Sequence, residues 1–316
     1  MVSKQPKFIR GLHNLHAAPK GSVVTIGSFD GVHLGHQAII RQVKAHSQEL
    51  GLPSVAIIFE PQPHEFFSAE RAPARLMRLR EKALALFNAG IDSVCCLQFN
   101  ERLRGLTAEQ FISQVLVEGL GTRFLVVGDD FRFGCDRSGD YGLLKSSGEK
   151  NGFEVQDTHT FEIEGERVSS TRIRKELEQA NLLQAQKLLG RPYAITGHVG
   201  YGQQLGRQWG VPTANVELHR YRVPLQGVFA VRVTLPDGSL ANGVANVGVR
   251  PTIEEHLKPI LEVHLLEFSG ILYGEIIDVE FVEKLRDEKK FESLDDLKAQ
   301  IYRDIDEAKA FFKTLT

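Results

Sequence analysis

The sequence predicts an α/β parallel-sheet domain over residues 1–189, followed by an antiparallel β domain, a small barrel, over residues 190–316. Three observations lead there. Up to about Lys187, short apolar and β-branched runs alternate with longer amphipathic stretches, the pattern of βαβ units. After Gly190, strand-like segments follow one another with turn signals such as Pro236-Asp237-Gly238 between them, which is antiparallel texture. The length of 316 residues is ample for two buried cores and long for one.

In the first domain, Val23–Phe29, Ser54–Phe59, Asp92–Leu97 and Phe124–Val127 are nearly all apolar, as strands covered by helices on both faces must be. The intervening helices are Gln37–Leu50, with Ile40, Val43 and Leu50 at helical spacing, and Arg80–Ala89, with Leu84 and Phe87 turned inward. Thr107–Glu118 begins on a Thr107 cap with Gln110 three residues on. In the second domain the strands are Tyr193–Val199, Val228–Leu235, Leu240–Val247, Ile260–Phe268 and Glu275–Val282. A final helix after a Ser293 cap sets Leu294, Leu297, Ile301, Ile305, Ala308 and Phe311 on one face. The boundary is expected near Gly190-Arg191-Pro192, with no internal repeat and no low-complexity linker.

A formal charge of −2, with 42% hydrophobic and 25% charged residues, gives no electrostatic case for a nucleic-acid or membrane partner. No apolar run is long enough to cross a bilayer and the N-terminus lacks the apolar stretch of a secretion signal, so the expected location is the cytoplasm. Cys95, Cys96 and Cys135 are odd in number, with two adjacent in a strand, and read as reduced thiols rather than a disulfide or zinc framework. A reactive Cys135 in its glycine-flanked loop is the alternative, although no histidine lies near it in sequence.

Gly27-Ser28-Phe29-Asp30-Gly31-Val32-His33-Leu34-Gly35-His36 leaves the first strand of the parallel pattern and opens a helix. Glycines permit the tight turn and close ligand approach, and the unpaired N–H groups of a helix start attract phosphate. His33 and His36 project to the same side there, where two imidazoles can donate hydrogen bonds to charge developing on a phosphoryl group. The chemistry indicated is displacement at the α-phosphate of ATP; the alternative is one structural histidine in a glycine turn. Farther on, Val168-Ser169-Ser170-Thr171-Arg172-Ile173-Arg174 sets hydroxyls and guanidinium groups in the first turn of another helix. Cations there oppose the helix dipole, which suits a clamp on phosphates, or else an ordinary capped surface helix.

The phosphate loop Gly-x-x-x-x-Gly-Lys-Ser/Thr is absent. Instead Gly197, Gly200, Gly202, Gly206 and Gly210, interleaved with Arg207, lead to Pro212-Thr213-Ala214-Asn215. This reads as a flap whose amides face phosphates, with Thr213 and Asn215 as neutral oxygen ligands for Mg²⁺, or as glycine bends of a barrel. Glu262 shares a face with His264 in an otherwise apolar alternating strand. It is either a solvent-facing carboxylate or a base within reach of a substrate hydroxyl.

His33-x-Gly-His36 followed by Ser169-Ser170-Thr171-x-x-Arg174 resembles the HxGH nucleotidyltransferase superfamily. More narrowly, Gly27-x-Phe29-Asp30-Gly31-x-His33-x-Gly35-His36, Phe59-Glu60-Pro61, Val127-Gly128-x-Asp130-Phe131-x-Phe133-Gly134 and Ser169-Ser170-Thr171-x-Ile173-Arg174 are similar to the FAD synthetase module of bacterial bifunctional riboflavin kinase/FAD synthetases. Gly227-Val228-Phe229-Ala230, Asn246-Val247-Gly248-x-Arg250-Pro251-Thr252, Leu261-Glu262-Val263-His264, Leu272-Tyr273-Gly274 and Leu285-Arg286-x-Glu288-x-x-Phe291 resemble the riboflavin kinase module, in the same order. The resemblance spans nearly the whole chain. It implies a Rossmann-like nucleotidyltransferase domain and a six-stranded barrel with a terminal helix. It also implies two reactions, phosphorylation of riboflavin to FMN and adenylylation of FMN to FAD with release of pyrophosphate. ATP and Mg²⁺ would serve both, the flavins being substrates and products.

Residue by residue, the resemblance implies that Gly27, Phe29, Asp30, His33, Gly35, His36, Ser170, Thr171 and Arg174 bind ATP in the first domain, with His33 and His36 catalytic. Phe59, Pro61, Asp130 and Phe131 would lie near the FMN or FAD. In the second domain Gly197, Gly202, Gly206, Pro212, Thr213 and Asn215 would bind ATP, Thr213 and Asn215 would hold Mg²⁺, and Glu262 would take the proton of the ribityl 5′-hydroxyl. Arg286, Glu288 and Phe291 would approach the flavin. The chain departs from the family where it reads Pro61-Gln62-Pro63 in place of the frequent Pro-His-Pro, so no imidazole role carries over there. Two other readings stand beside this one. One is an adenylyltransferase acting on pantetheine phosphate or nicotinamide mononucleotide, against which Pro212-Thr213-Ala214-Asn215 argues. The other is a binding protein that kept the fold without the chemistry, against which intact His33, His36, Arg174, Thr213, Asn215 and Glu262 argue. Nothing in the sequence specifies an oligomeric state.

Overall fold

The computed structural model of the chain describes residues 5–18, 20–135, 137–202, 206, 209–251 and 257–315. Arg207 and Thr252 of the motifs above lie outside the described residues. The chain forms two compact units, Met1–Pro73 with Leu79–Ser170 and Ala74–Arg78 with Thr171–Thr316. Among the described residues no helix is long and apolar enough to cross a membrane.

The first unit is built on six parallel strands, β1 (Lys7–Arg10), β2 (Ser22–Ile26), β3 (Ser54–Glu60), β4 (Ser93–Gln98), β5 (Thr122–Gly128) and β6 (Glu154–Thr158), in the order β1-β4-β3-β2-β5-β6, followed by a small two-stranded antiparallel sheet of β7 (Glu162–Ile163) and β8 (Glu166–Arg167). β2, β3 and β4 are buried along most of their length because helices cover both faces. The helices are α1 (Leu34–Leu50), α2 (Pro63–Phe67), α3 (Leu79–Asn88), α4 (Glu101–Arg104), α5 (Ala108–Phe111), which runs on as π-helical turns over Ile112–Gly119, and α6 (Tyr141–Asn151). Thr107 caps α5 as expected: its hydroxyl accepts from Gln110 N–H at 3.2 Å, and the Gln110 side chain accepts from Thr107 N–H at 2.9 Å. β3 and β4 lead away from β2 on one side and β5 and β6 on the other. The crevice of such a sheet opens at this switch point, beyond the C-terminal ends of β2 and β5.

Three expectations are corrected here. The first strand stops at Ile26, and Phe29 and Val32 take positive φ values of 47° and 39°, because the chain turns sharply before α1. α3 buries Glu81, Lys82, Ala83 and Leu86, whereas Leu84 is 51% exposed. β1 and β6 were not expected, since they are short, largely polar strands at the two edges of the sheet. Cys95 and Cys96 are free core thiols, as read, and burial pushes the Cys95 thiol up to about 12. Cys135 is free and exposed.

The second unit is a closed antiparallel barrel of β9 (Ala194–Gly200), β10 (Ala214–Val216), β11 (Gly227–Thr234), β12 (Leu240–Pro251), β13 (Leu257–Leu265) and β14 (Ile276–Arg286), ordered β10-β13-β12-β11-β14-β9. Phe229 and Phe281 meet edge to face at 5.3 Å in its interior. The terminal helix, α9 (Leu294–Thr314), is capped by the Ser293 hydroxyl, which accepts from Asp296 N–H at 3.1 Å. It buries Ile305, Ala308 and Phe312 against Val211, Val228, Ala230 and Val244, while Leu294 of the expected inner face is 68% exposed. β10 escaped the sequence reading because it is only three residues long.

α7 (Ser170–Glu178) starts on the last residue of the first unit, and α8 (Leu182–Leu189) packs on β14. The compact units divide between Ser170 and Thr171. The strap Ala74–Arg78 also belongs to the second unit. Arg220 donates to the carbonyls of Arg75 and Leu76 at 3.1 and 3.3 Å, Arg174 Nε donates to Ala74 O at 2.6 Å, and Arg78 donates to the carbonyls of Thr196 and Glu217. Leu76 is fully buried there.

Candidate active sites

At the C-terminal end of β2, His33 is the N-cap of α1, and its Nδ1 accepts the backbone N–H of His36 at 3.3 Å. That bond leaves the proton of a neutral His33 on Nε2. The two rings stack with centroids 3.6 Å apart and 16° between planes, and Phe29 tilts against His36 at 5.1 Å. Gly35 allows this approach: a Cβ there would sit 3.2 Å from the His33 ring and 3.3 Å from Val168 O. The Ser170 hydroxyl ties the segment before α7 to the same loop by donating to Asp30 O at 2.8 Å.

Burial, followed by the neighbouring charges of His33, Lys82 and Arg167, pulls the His36 pKa well below its ordinary value. His36 is thus neutral, and among the described residues no group is hydrogen-bonded to its buried Nδ1. A neutral imidazole still donates one N–H, so His36 keeps a donor without adding charge beside His33. At the end of β5, Asp130 pairs with Arg167 at 2.9 Å and Phe131 stacks on Phe133 at 5.5 Å. At the end of β3, Phe59 meets Phe99 edge to face at 6.1 Å, and the Glu60–Pro61 peptide is cis.

Gly27, Phe29, Asp30, His33, Gly35, His36 and Ser170 therefore form one neighbourhood. Phe59, Pro61, Asp130 and Phe131 lie on the loops leaving the same strand ends. Thr171 and Arg174 belong to the second unit, on α7, where Thr171 is exposed and Arg174 holds the strap. Lys82 and Arg167 went unnoticed in the sequence. Lys82 has no exposed surface, and its charge, like that of Arg167, is felt at His36. Neither falls in a motif whose spacing singles it out.

In the barrel, Asn215 on β10 stands opposite Glu262 on β13, which stands opposite Asn246 on β12. The row continues through Val228 on β11 to Arg286 on β14. Directly opposed residues of antiparallel neighbours share a face. All five line one cavity of about 380 Å³, together with Glu288 and Phe291. A second cavity, of about 390 Å³, is lined by Val199, Pro212, Leu272 and Tyr273 among others. Thr213 and Asn215 line both cavities, so they occupy the passage between them.

Among the described residues, no protein group is hydrogen-bonded to the side chains of Thr213 or Asn215. Gly202 makes room for Asn215, since a Cβ at that position would overlap the amide. Gly206 lines the cavity of about 380 Å³ beside Thr213, whereas Gly197 lies on β9 opposite Ile277, where a Cβ would sit 2.5 Å from the Val216 side chain. His264 Nδ1 lies 2.9 Å from Pro212 O, and the residue lines the same cavity as Glu262. The Arg286 guanidinium is engaged by Asp304 of α9 at 2.9 and 2.7 Å and lies over the Phe291 ring at 5.8 Å. Glu288 has its pKa raised by burial, with Arg286 opposing the shift.

A family model described as FAD synthetase matches residues 15–172, and one described as riboflavin kinase matches residues 189–312. The chain is 52% identical over 304 residues to a bifunctional riboflavin kinase/FMN adenylyltransferase of Pseudomonas fluorescens, covering 96% of this chain and 97% of that one. It is 49% identical over 307 residues to the protein so described in Escherichia coli strain K12, covering 97% and 98%. A crystal structure described as a macrolide-efflux protein from Streptococcus pneumoniae matches with a TM-score of 0.80 at 29% identity, covering 96% and 98%.

Proposed function

The chain belongs to the bifunctional riboflavin kinase/FMN adenylyltransferase family, phosphorylating riboflavin and adenylylating FMN with ATP as co-substrate, and from that premise we propose which residues carry each reaction. Adenylyl transfer belongs to the domain of residues 1–189 and phosphoryl transfer to that of residues 190–316. In the first, the N–H groups at the start of α1 and the His33 and His36 imidazoles receive the ATP phosphates as pyrophosphate leaves. Ser170, Thr171 and Arg174 complete the phosphate contacts. Phe59, Pro61, Asp130 and Phe131 lie toward the flavin and adenylyl parts.

In the second, Glu262 takes the proton of the riboflavin 5′-hydroxyl as it attacks the γ-phosphate. The observation that carries this reading is that Thr213 and Asn215 face two cavities of about 390 and 380 Å³, with Glu262 facing the latter alone. The first cavity suits the nucleotide and the second the flavin, where Arg286, Glu288 and Phe291 bound it. Gly202 and Gly206 give the nucleotide's phosphates access to Thr213 and Asn215. The Thr213 hydroxyl and Asn215 amide oxygen, unengaged by the described protein groups, fit Mg²⁺, a hard cation that takes neutral oxygens and phosphate oxygens. Bound there, the ion would neutralise phosphate charge during transfer. The same reading places the enzyme in the cytoplasm.

Incubation with riboflavin, ATP and Mg²⁺, followed by separation of the three flavins, tests the division. Glu262→Gln should lower FMN formation about 10²–10⁴-fold and leave conversion of supplied FMN to FAD intact. His33→Ala combined with His36→Ala should do the reverse, so that FMN accumulates. Equal impairment of both steps in both folded variants would refute it.

A further inference from the structure

Asn246 has no part in the reading above, yet it stands beside the proposed base. It opposes Glu262 from β12, as Asn215 does from β10. Opposed residues of this kind hold their Cβ atoms about 4.5–5.5 Å apart, so two primary amides bracket the carboxylate. Asn215 faces both cavities, whereas Asn246 faces only the one that contains Glu262. Beyond Asn246 the row turns apolar at Val228, and the Arg286 guanidinium that follows is already held by Asp304.

Asn246 is half-buried, and among the described residues no protein group is hydrogen-bonded to its side chain. A carboxamide combines N–H donors with a carbonyl acceptor, and a hydroxyl both donates and accepts, so the match with a polyol chain is direct. A charged group in its place would attract the wrong partner for a neutral sugar alcohol. An apolar one would leave the substrate hydroxyl desolvated and unpaired.

We infer that Asn246 is a positioning residue for the phosphoryl acceptor: its amide binds one of the ribityl hydroxyls that do not react and thereby sets the 5′-hydroxyl against Glu262. The inference rests on the kinase reading and deepens it. It makes the enzyme selective for a polyhydroxylated chain rather than for any primary alcohol attached to a flavin.

The test crosses enzyme variants with substrates. Steady-state constants are measured for the parent, Asn246→Ala and Asn246→Ser, using riboflavin and the three analogues that lack the 2′-, 3′- or 4′-hydroxyl. Asn246→Ala should lower kcat/KM for riboflavin roughly tenfold, with Asn246→Ser recovering part of the loss through its own hydroxyl. With one of the three analogues the alanine change should cost nothing further, because the hydroxyl it met is gone. Conversion of FMN to FAD by the same preparations should stay at the parent rate. The same loss with all four acceptors, or no loss with riboflavin, overturns the inference. Glu262→Gln, assayed alongside, separates the two ideas. Undiminished FMN formation in that variant removes the base while coupling of Asn246 to one hydroxyl stands. Lost FMN formation together with an uncoupled Asn246→Ala keeps the base and discards the positioning role.

Discussion

The imidazole of His36 lies against that of His33 with 3.6 Å between ring centroids, and burial is the first cause of its depressed pKa. In the folded protein it stays neutral over a range in which the unfolded chain's histidine takes up a proton. Lowering the pH from the ordinary value of 6.5 toward the depressed folded value therefore favours unfolding. His36→Gln removes that linkage. The melting temperature of the parent minus that of the variant should be constant above about pH 7.5 and become more negative as the pH falls below 6.5. Parallel curves across that range would mean that His36 is not held neutral by the fold. At this scale the sequence singles out residues where spacing is unusual, as in His33-x-Gly-His36 or a lone glutamate in an apolar strand. Lys82 was illegible for the opposite reason. It sits in a helix whose periodicity turns Leu84 inward, and only the packed structure shows Leu84 half-exposed and the lysine wholly enclosed.

α9 does more than pack Ile305, Ala308 and Phe312 against the barrel. Its Asp304, 3% exposed, holds both nitrogens of the Arg286 fork and also accepts from Gln300 at 2.8 Å. Removing one member of a buried pair leaves the other charge uncompensated, so Asp304→Ala should cost about 3–5 kcal/mol, read as a fall in melting temperature. Because Arg286 lines the flavin-sized cavity, KM for riboflavin should rise in the same variant while adenylyl transfer by the folded fraction persists. An unchanged KM would reduce the pair to a scaffold contact. Interior strands and both capped helices were legible, since apolar runs and Ser or Thr caps are local signals. The edge strands β1 and β6 and the three-residue β10 were not. Their ladders are completed by neighbours distant in sequence, and their side chains need not be apolar.

The two-unit organisation was legible from the change of texture near Gly190, whereas α7, α8 and the strap join the barrel through contacts that no periodicity announces. A fragment of residues 190–316 lacks all three. Arg220, 7% exposed in the full chain, loses its acceptors at Arg75 and Leu76. Each hydrogen bond from a charged donor contributes roughly 1.5–3 kcal/mol, so the fragment should melt well below the barrel transition of the full chain in calorimetry. Equal transitions would show that the strap is dispensable. The strap also bears on how the protein is made. Arg220 follows Arg75 by 145 residues, which at ordinary elongation rates of about 5–20 residues per second is a wait of roughly 7–30 s. Throughout that interval the nascent chain carries Leu76 without the surface that later encloses it, a natural moment for a chaperone at the ribosome exit to hold on.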